Sequence, residues 1–131
     1  MSNNQKKVLV VEDDGMLRRI VSDRFKTMGY DVFQAEDGQE AVDSILDKRP
    51  DLVLLDLLIP KVDGFTVLEK IRNYPDKAVA ATSVIVLSNL WSDKDILRVK
   101  SLKIDEYFVK ANTDMEVVFE KAKNILAKSG N

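Results

Sequence analysis

The sequence predicts an α/β protein: a doubly wound, five-stranded parallel sheet in the order 2-1-3-4-5, with five helices. Three observations predict it. Short apolar runs, too brief for helices, recur at 8–11, 52–55 and 84–87. Segments with apolar residues at helical spacing separate them. Each run stops at a polar residue, at Glu12, Asp56 and Ser88. Strand–helix alternation specifies parallel strands joined by crossovers. Runs apolar at every position specify strands covered on both faces.

The elements follow in order. Val8 to Val11 is the first strand, ended by Glu12-Asp13-Asp14. A helix from Gly15 to about Met28 carries Leu17, Ile20, Val21, Phe25 and Met28 inward, and Gly29 stops it. The stretch 31–35 is a weaker strand, as at a sheet edge. Asp37 caps the next helix with Glu40 reaching back, Ala41, Val42, Ile45 and Leu46 face inward, and Pro50 closes it. Leu52 to Leu55 is the central strand. Pro60, Asp63 and Gly64 mark a loop, and the helix after it carries Phe65, Leu68 and Ile71.

Pro75 to Ala81 reads as a plain connection into the strand Val84–Leu87. Ser92, with Asp95, caps the helix of Ile96, Val99 and Leu102. The last strand, 106–109, ends at Lys110, and Thr113 with Glu116 caps the last helix, whose inner face is Met115, Val118, Phe119, Ala122, Ile125 and Leu126. The most apolar strands belong in the centre and 31–35 and 106–109 at the edges, which is the flavodoxin-like arrangement.

At 131 residues, residues 1–131 are expected to be a single domain with an ordered core of about 6–127. There is no Cys and no His. Thiolate nucleophiles, imidazole bases, disulfides and zinc sites built on those residues are excluded together. A metal here must take oxygen ligands, which points to Mg²⁺, Mn²⁺ or Ca²⁺. Net charge is −2 with signs interspersed, so nucleic acid is not an expected direct ligand. No run approaches the roughly 20 apolar residues of a membrane span. Met1 to Lys7 lacks the apolar core of a signal peptide, so the expected location is cytoplasmic.

Parallel strands in this order gather their end residues on one edge. Glu12 and Asp13 then meet Asp56 from the neighbouring strand, with Ser88 and Lys110 beyond. Any one of these has an ordinary explanation: an acidic turn capping a helix, a strand-ending Asp, a loop hydroxyl, a solvated Lys. Their joint placement does not. Crowded carboxylates repel and raise a pKa, and a hard divalent cation offsets the repulsion. Without His or Cys, the available nucleophile is a carboxylate, whose attack on phosphorus gives an acyl phosphate. Lys110 and Ser88 supply positive charge and a hydrogen-bond donor for a phosphoryl group.

The chain resembles the receiver domains of two-component response regulators, particularly the single-domain, chemotaxis-type members. The resemblance rests on Val11-Glu12-Asp13-Asp14, Asp56 with Pro60 and Asp63-Gly64, Ser88, Tyr107 and Lys110. It implies that Asp56 is the phosphoacceptor in a phosphorelay. It implies that Asp13, Asp56 and the backbone carbonyl of Leu58 bind Mg²⁺ (Mn²⁺ possible), with Glu12 acting through water. It further implies that Ser88 and Tyr107 form the switch and that Lys110 pairs with the phosphoryl group. The donor would be a phosphohistidine on a histidine kinase or histidine phosphotransfer protein. The chain would then be no enzyme beyond its own phosphorylation and dephosphorylation, and a monomer or weak dimer. Its target would be a protein docking on the last two strand–helix units, with Trp91 a plausible anchor.

Four features depart from the family pattern. Ala111 stands where Pro, commonly cis, is usual, and a trans bond is expected because a non-Pro cis peptide costs about 2.5–4 kcal/mol. Lys103-Ile104 replaces a Gly-Ala pair, removing a residue suited to a left-handed cap. Asn89 stands where a small Ala or Gly is common, and its larger side chain is expected to crowd the approach of the phosphate. Leu58 and Leu90 cannot orient an attacking water, so self-dephosphorylation is expected to be slow. Two rival readings remain. One is a degenerate receiver that binds partners without phosphate, against which Asp13, Asp56, Ser88 and Lys110 speak. The other is a haloacid-dehalogenase-like hydrolase, which needs a second Asp where Leu58 stands.

Overall fold

A computed structural model describes residues 5–90 and 92–128. Trp91, the anchor expected from the sequence, lies outside the described residues. Five parallel strands form one sheet in the order β2-β1-β3-β4-β5, with β1 Lys7–Val11, β2 Asp31–Ala35, β3 Leu52–Leu55, β4 Ser83–Ser88 and β5 Glu106–Val109. The helices are α1 Gly15–Thr27, α2 Gly38–Lys48, α3 Gly64–Arg72, α4 Lys77–Ala80, α5 Asp93–Lys100 and α6 Met115–Lys128.

The two-residue period of a strand sorts each apolar run onto two faces. Leu9, Val11, Val53, Leu55, Val84 and Val86 pack beneath α2, α3, α4 and α5. Val8, Val10, Leu52, Leu54, Ile85 and Leu87 pack beneath α1 and α6. Each fully buried side chain contributes about 1.5–3 kcal/mol. The central strands β1, β3 and β4 are therefore almost wholly inaccessible, while β5 is half-buried along its length.

Several local expectations change. Ile20 is 59% exposed, because the inner stripe of α1 runs Leu17, Val21, Phe25 and leaves Ile20 on its flank. The connection at Pro75–Ala81 contains the short helix α4, capped by Asp76, whose side chain accepts from the Ala78 amide. In the box at α2, Asp37 caps Glu40 as expected, but Glu40 accepts from the Glu36 amide rather than that of Asp37. The last helix is capped by Asp114, which accepts from the Glu116 amide, and not by Thr113. The Thr113 hydroxyl instead donates to the Val109 carbonyl, closing a 3₁₀ turn at Lys110–Asn112. Lys110–Ala111 is trans, as expected.

Two glycines hold the loop after β3. A Cβ at Gly38 would lie 1.6 Å from the Val62 carbonyl oxygen, so only glycine lets α2 approach that loop. A Cβ at Gly64 would lie 2.5 Å from Leu57 Cα and 2.7 Å from the Asp56 carbonyl oxygen. The start of α3 is thereby pressed against the backbone that carries Asp56.

Candidate functional site

The sheet register brings the expected residues together. Val11 pairs with Leu55, so Glu12 and Asp56 leave adjacent strands side by side, and the Asp56 amide still donates to the Val11 carbonyl at 3.1 Å. Ser88 pairs with Val109, which sets Lys110 one residue beyond Ser88 at the same edge.

Asp56 is buried, with both carboxylate oxygens engaged. Oδ1 accepts from the Leu58 amide at 2.9 Å and from Ser88 Oγ at 2.8 Å. Oδ2 accepts from Lys110 Nζ at 2.7 Å. The same ammonium reaches Glu12 Oε1 at 2.5 Å, so Lys110 bridges the two buried acids. Asp13 stands exposed at the mouth of this pocket. One oxygen each from Glu12, Asp13 and Asp56 lies within 4.8 Å of the others.

Glu12 and Asp13 are free to gather because Asp14 does the capping. Its side chain accepts from the Met16 and Leu17 amides, and Glu12 Oε2 accepts from the Asp14 amide. An Asp directly before Gly15 and the apolar stripe of α1 is itself a cap signal, one the sequence reading passed over. Arg18 Nη1 donates to the Glu12 carbonyl at 2.8 Å, a brace that no spacing rule reveals.

The electrostatics follow from burial and pairing. Burial chiefly pushes the Glu12 carboxyl above its usual range, and the Asp56 charge adds to it while the Lys110 and Asp14 hydrogen bonds oppose. Burial works against the Lys110 ammonium, but hydrogen bonds and charge from Asp56 and Glu12 outweigh it and raise its pKa. The donor set of three carboxylates, one open to solvent, fits a hard, oxygen-preferring divalent cation that keeps several waters. A second acidic group, Glu36, Asp37 and Glu40, lies nearby, but Asp37 is committed to capping α2 and to Lys61.

The neighbouring switch candidates are also placed. Tyr107 is half-buried against the core, and its hydroxyl donates to the Leu90 carbonyl. Asn89, expected to crowd the pocket, is exposed, and its Oδ1 accepts from the Ala111 amide at 3.0 Å. Leu58 is 53% exposed.

The family model described as the response regulator receiver domain matches residues 8–123. The chain is 36% identical over 117 residues, 89% of its length and 47% of the relative's, to a probable transcriptional regulator ycf27 of Cyanophora paradoxa. It is 32% identical over 123 residues, 94% of its length, to the DNA-binding dual master transcriptional regulator RpaA of Synechocystis, of which it covers 50%. The chain thus spans about half the length of these curated relatives. Among solved structures, the chemotaxis response regulator CheY4 of Vibrio cholerae superposes with a TM-score of 0.82 at 25% identity, covering 94% of this chain and all of that one. On fold, site geometry and the span of the family match, the chain belongs to the response regulator receiver domain family.

Proposed function

We propose that Asp56 accepts a phosphoryl group from a phosphohistidine and that the resulting acyl phosphate resets a protein-binding surface. The single observation that carries this reading is the setting of Asp56. It is a buried carboxylate held at once by a hydroxyl, an amide and an ammonium, beside two further acids. Such a carboxylate is desolvated and aimed, and the donors around it match the oxygens of a transferred phosphoryl group.

In the transfer, an Asp56 oxygen forms a bond to phosphorus as the phosphorus–nitrogen bond of the donor breaks. The departing imidazole keeps the bonding pair and takes a proton. Lys110 and the Ser88 hydroxyl then turn from the carboxylate to the phosphoryl oxygens. Asp13, Asp56 and the Leu58 carbonyl would hold Mg²⁺ or Mn²⁺, with Glu12 through water, and the ion would supply positive charge against the phosphate oxygens. The histidine comes from a kinase or phosphotransfer protein, which accounts for its absence from this sequence.

Ser88 already donates to Asp56, and the Tyr107 hydroxyl already reaches the Leu90 carbonyl. Phosphorylation then acts by raising the population of an arrangement the fold can reach without it. The surface so biased is that of β4, β5, α5 and α6, where a target protein would dock. The expectation of no direct nucleic-acid ligand is confined to these residues, since the DNA-binding relative is twice as long. A cytoplasmic location belongs to the same proposal; among the described residues no helix is long and apolar enough to cross a membrane.

Intact-mass measurement after incubation with acetyl phosphate and Mg²⁺ tests the reading. The parent should gain one phosphoryl group and Asp56→Asn none. Equal labelling of both would refute Asp56 as acceptor, and a parent that takes no label would favour the degenerate, phosphate-independent receiver. Because Leu58 and Leu90 cannot orient water, the label should persist for minutes or longer; decay within seconds would contradict that.

A further inference from the structure

Two of the departures from the family pattern touch each other. Asn89 follows Ser88, and Ala111 follows Lys110. Ser88 Oγ and Lys110 Nζ hold opposite oxygens of Asp56. The Asn89 side chain spans the gap between the two chains outside the pocket, its Oδ1 accepting from the Ala111 amide at 3.0 Å. A proline at 111 would have no N–H to give, and a small residue at 89 no oxygen to receive it. Each departure alone looks like a loss. Together they make a bond that neither usual residue could make.

The bond sits where the chain leaves the edge of the sheet. β5 is an edge strand of four residues, half-buried throughout, and Lys110 opens the 3₁₀ turn Lys110–Asn112 that leaves it. A second brace of this turn, Thr113 Oγ1 to the Val109 carbonyl, ties it to its own strand and not to β4. Beyond the last β4–β5 pair, Ser88 with Val109, the Asn89 side chain continues the connection between the strands by one residue.

We propose that Asn89 is a positioning residue: its clasp on the Ala111 amide holds Lys110 in register with Ser88 across Asp56, replacing the constraint a proline would impose. The inference rests on the phosphoacceptor reading of Asp56. It reverses the expectation that Asn89 hinders the site, because its carboxamide is committed to Ala111. One solvent-facing hydrogen bond is worth about two- to tenfold in a rate that depends on it.

The test compares Asn89→Ala with the parent in the wild-type and the Lys110→Met backgrounds. Initial labelling by acetyl phosphate is followed by intact mass, over hours for the slower Lys110→Met forms. Hydrogen exchange of the Ala111 amide is read by NMR. Asn89→Ala should label about two- to tenfold more slowly, expose the Ala111 amide to faster exchange, and shift the thermal midpoint little. Because the clasp acts through Lys110, Asn89→Ala should cost nothing further in Lys110→Met. Asn89→Asp, which keeps an acceptor oxygen, should restore protection of the Ala111 amide. Labelling by Asn89→Ala as fast as the parent or faster would overturn the proposal, as would an equal loss in both backgrounds. A parent that takes no label overturns the phosphoacceptor reading itself, so the two failures are distinguished by the parent alone.

Discussion

At the scale of single residues, Glu12 and Asp56 lie buried side by side because Val11 pairs with Leu55. Glu12, Asp13, Asp56, Ser88 and Lys110 could be placed because strand ends are fixed by abrupt changes in hydrophobicity, and parallel strands share one edge. Lys103 shows the other side. Its substitution for Gly was read as the loss of a left-handed residue, yet the chain keeps the conformation: Lys103 has φ +59°. Its amide donates to the Lys100 carbonyl, and its own carbonyl accepts from Arg72. These bonds demand the left-handed turn whichever residue occupies it. A non-glycine residue there costs roughly 1–2 kcal/mol, partly offset by the about 0.5–1 kcal/mol of extra chain entropy that glycine would lose. Lys103→Gly should therefore stabilise the fold by about 0.5–1 kcal/mol. The urea midpoint should rise at constant slope; an unchanged or lower midpoint would mean the Lys103 side chain contributes more than its backbone costs.

At the scale of elements, periodicity located all five strands and the five long helices, but side-chain-to-backbone bonds were visible only where they are local. The caps of α2 and α5 follow from Asp37 and Ser92 at a fixed offset, whereas Asp63, expected only to mark a loop, also caps α3. At α6 two adjacent residues, Thr113 and Asp114, both suit the cap, and only the 3₁₀ turn decides between them: it takes the Thr113 hydroxyl and leaves the Asp114 carboxylate to cap the helix. Long-range staples leave no sequence pattern at all. Arg72, at the end of α3, donates to four backbone carbonyls: Leu102 at 2.7 Å, Ala80 and Thr82 at 2.8 Å each, and Lys103 at 3.1 Å. It ties α3, α4, the start of β4 and the turn before β5 together, at the sheet edge opposite Asp56. A planar guanidinium can serve four acceptors in this way; an ammonium cannot. We expect Arg72→Lys to lose about 2 kcal/mol and Arg72→Met about 3 kcal/mol. Labelling of Asp56 under folding conditions should be unaffected in either variant. Full rescue by Lys in a denaturant titration would show that charge, not the fork, is what matters.

At the scale of the whole molecule, stability and chemistry pull on the same edge. The sheet must bury the ends of β1 and β3 to close its two cores, and in doing so it carries Glu12 and Asp56 inside, with Asp13 at the mouth. Among the described residues Lys110 is the ammonium that bridges the two buried acids, so the cluster sets three carboxylates against that positive charge. The fold therefore retains a local excess of negative charge that a bound divalent cation would relieve, and by linkage such a cation would stabilise the folded chain alone. At a free concentration 100 times its dissociation constant the gain is about 2.7 kcal/mol. Removing Asp13 deletes an exposed carboxylate, so Asp13→Ala should start marginally more stable without metal, because like charges are separated. It should then respond little to Mg²⁺, and the melting midpoints of parent and variant, plotted against Mg²⁺, should cross. Sodium chloride at matched ionic strength controls for screening, which damps interactions between surface charges more than roughly 10 Å apart at 0.1 M salt. Parallel rises in both proteins, or a rise that sodium chloride reproduces, would assign the effect to general screening and leave the carboxylate cluster without its ion.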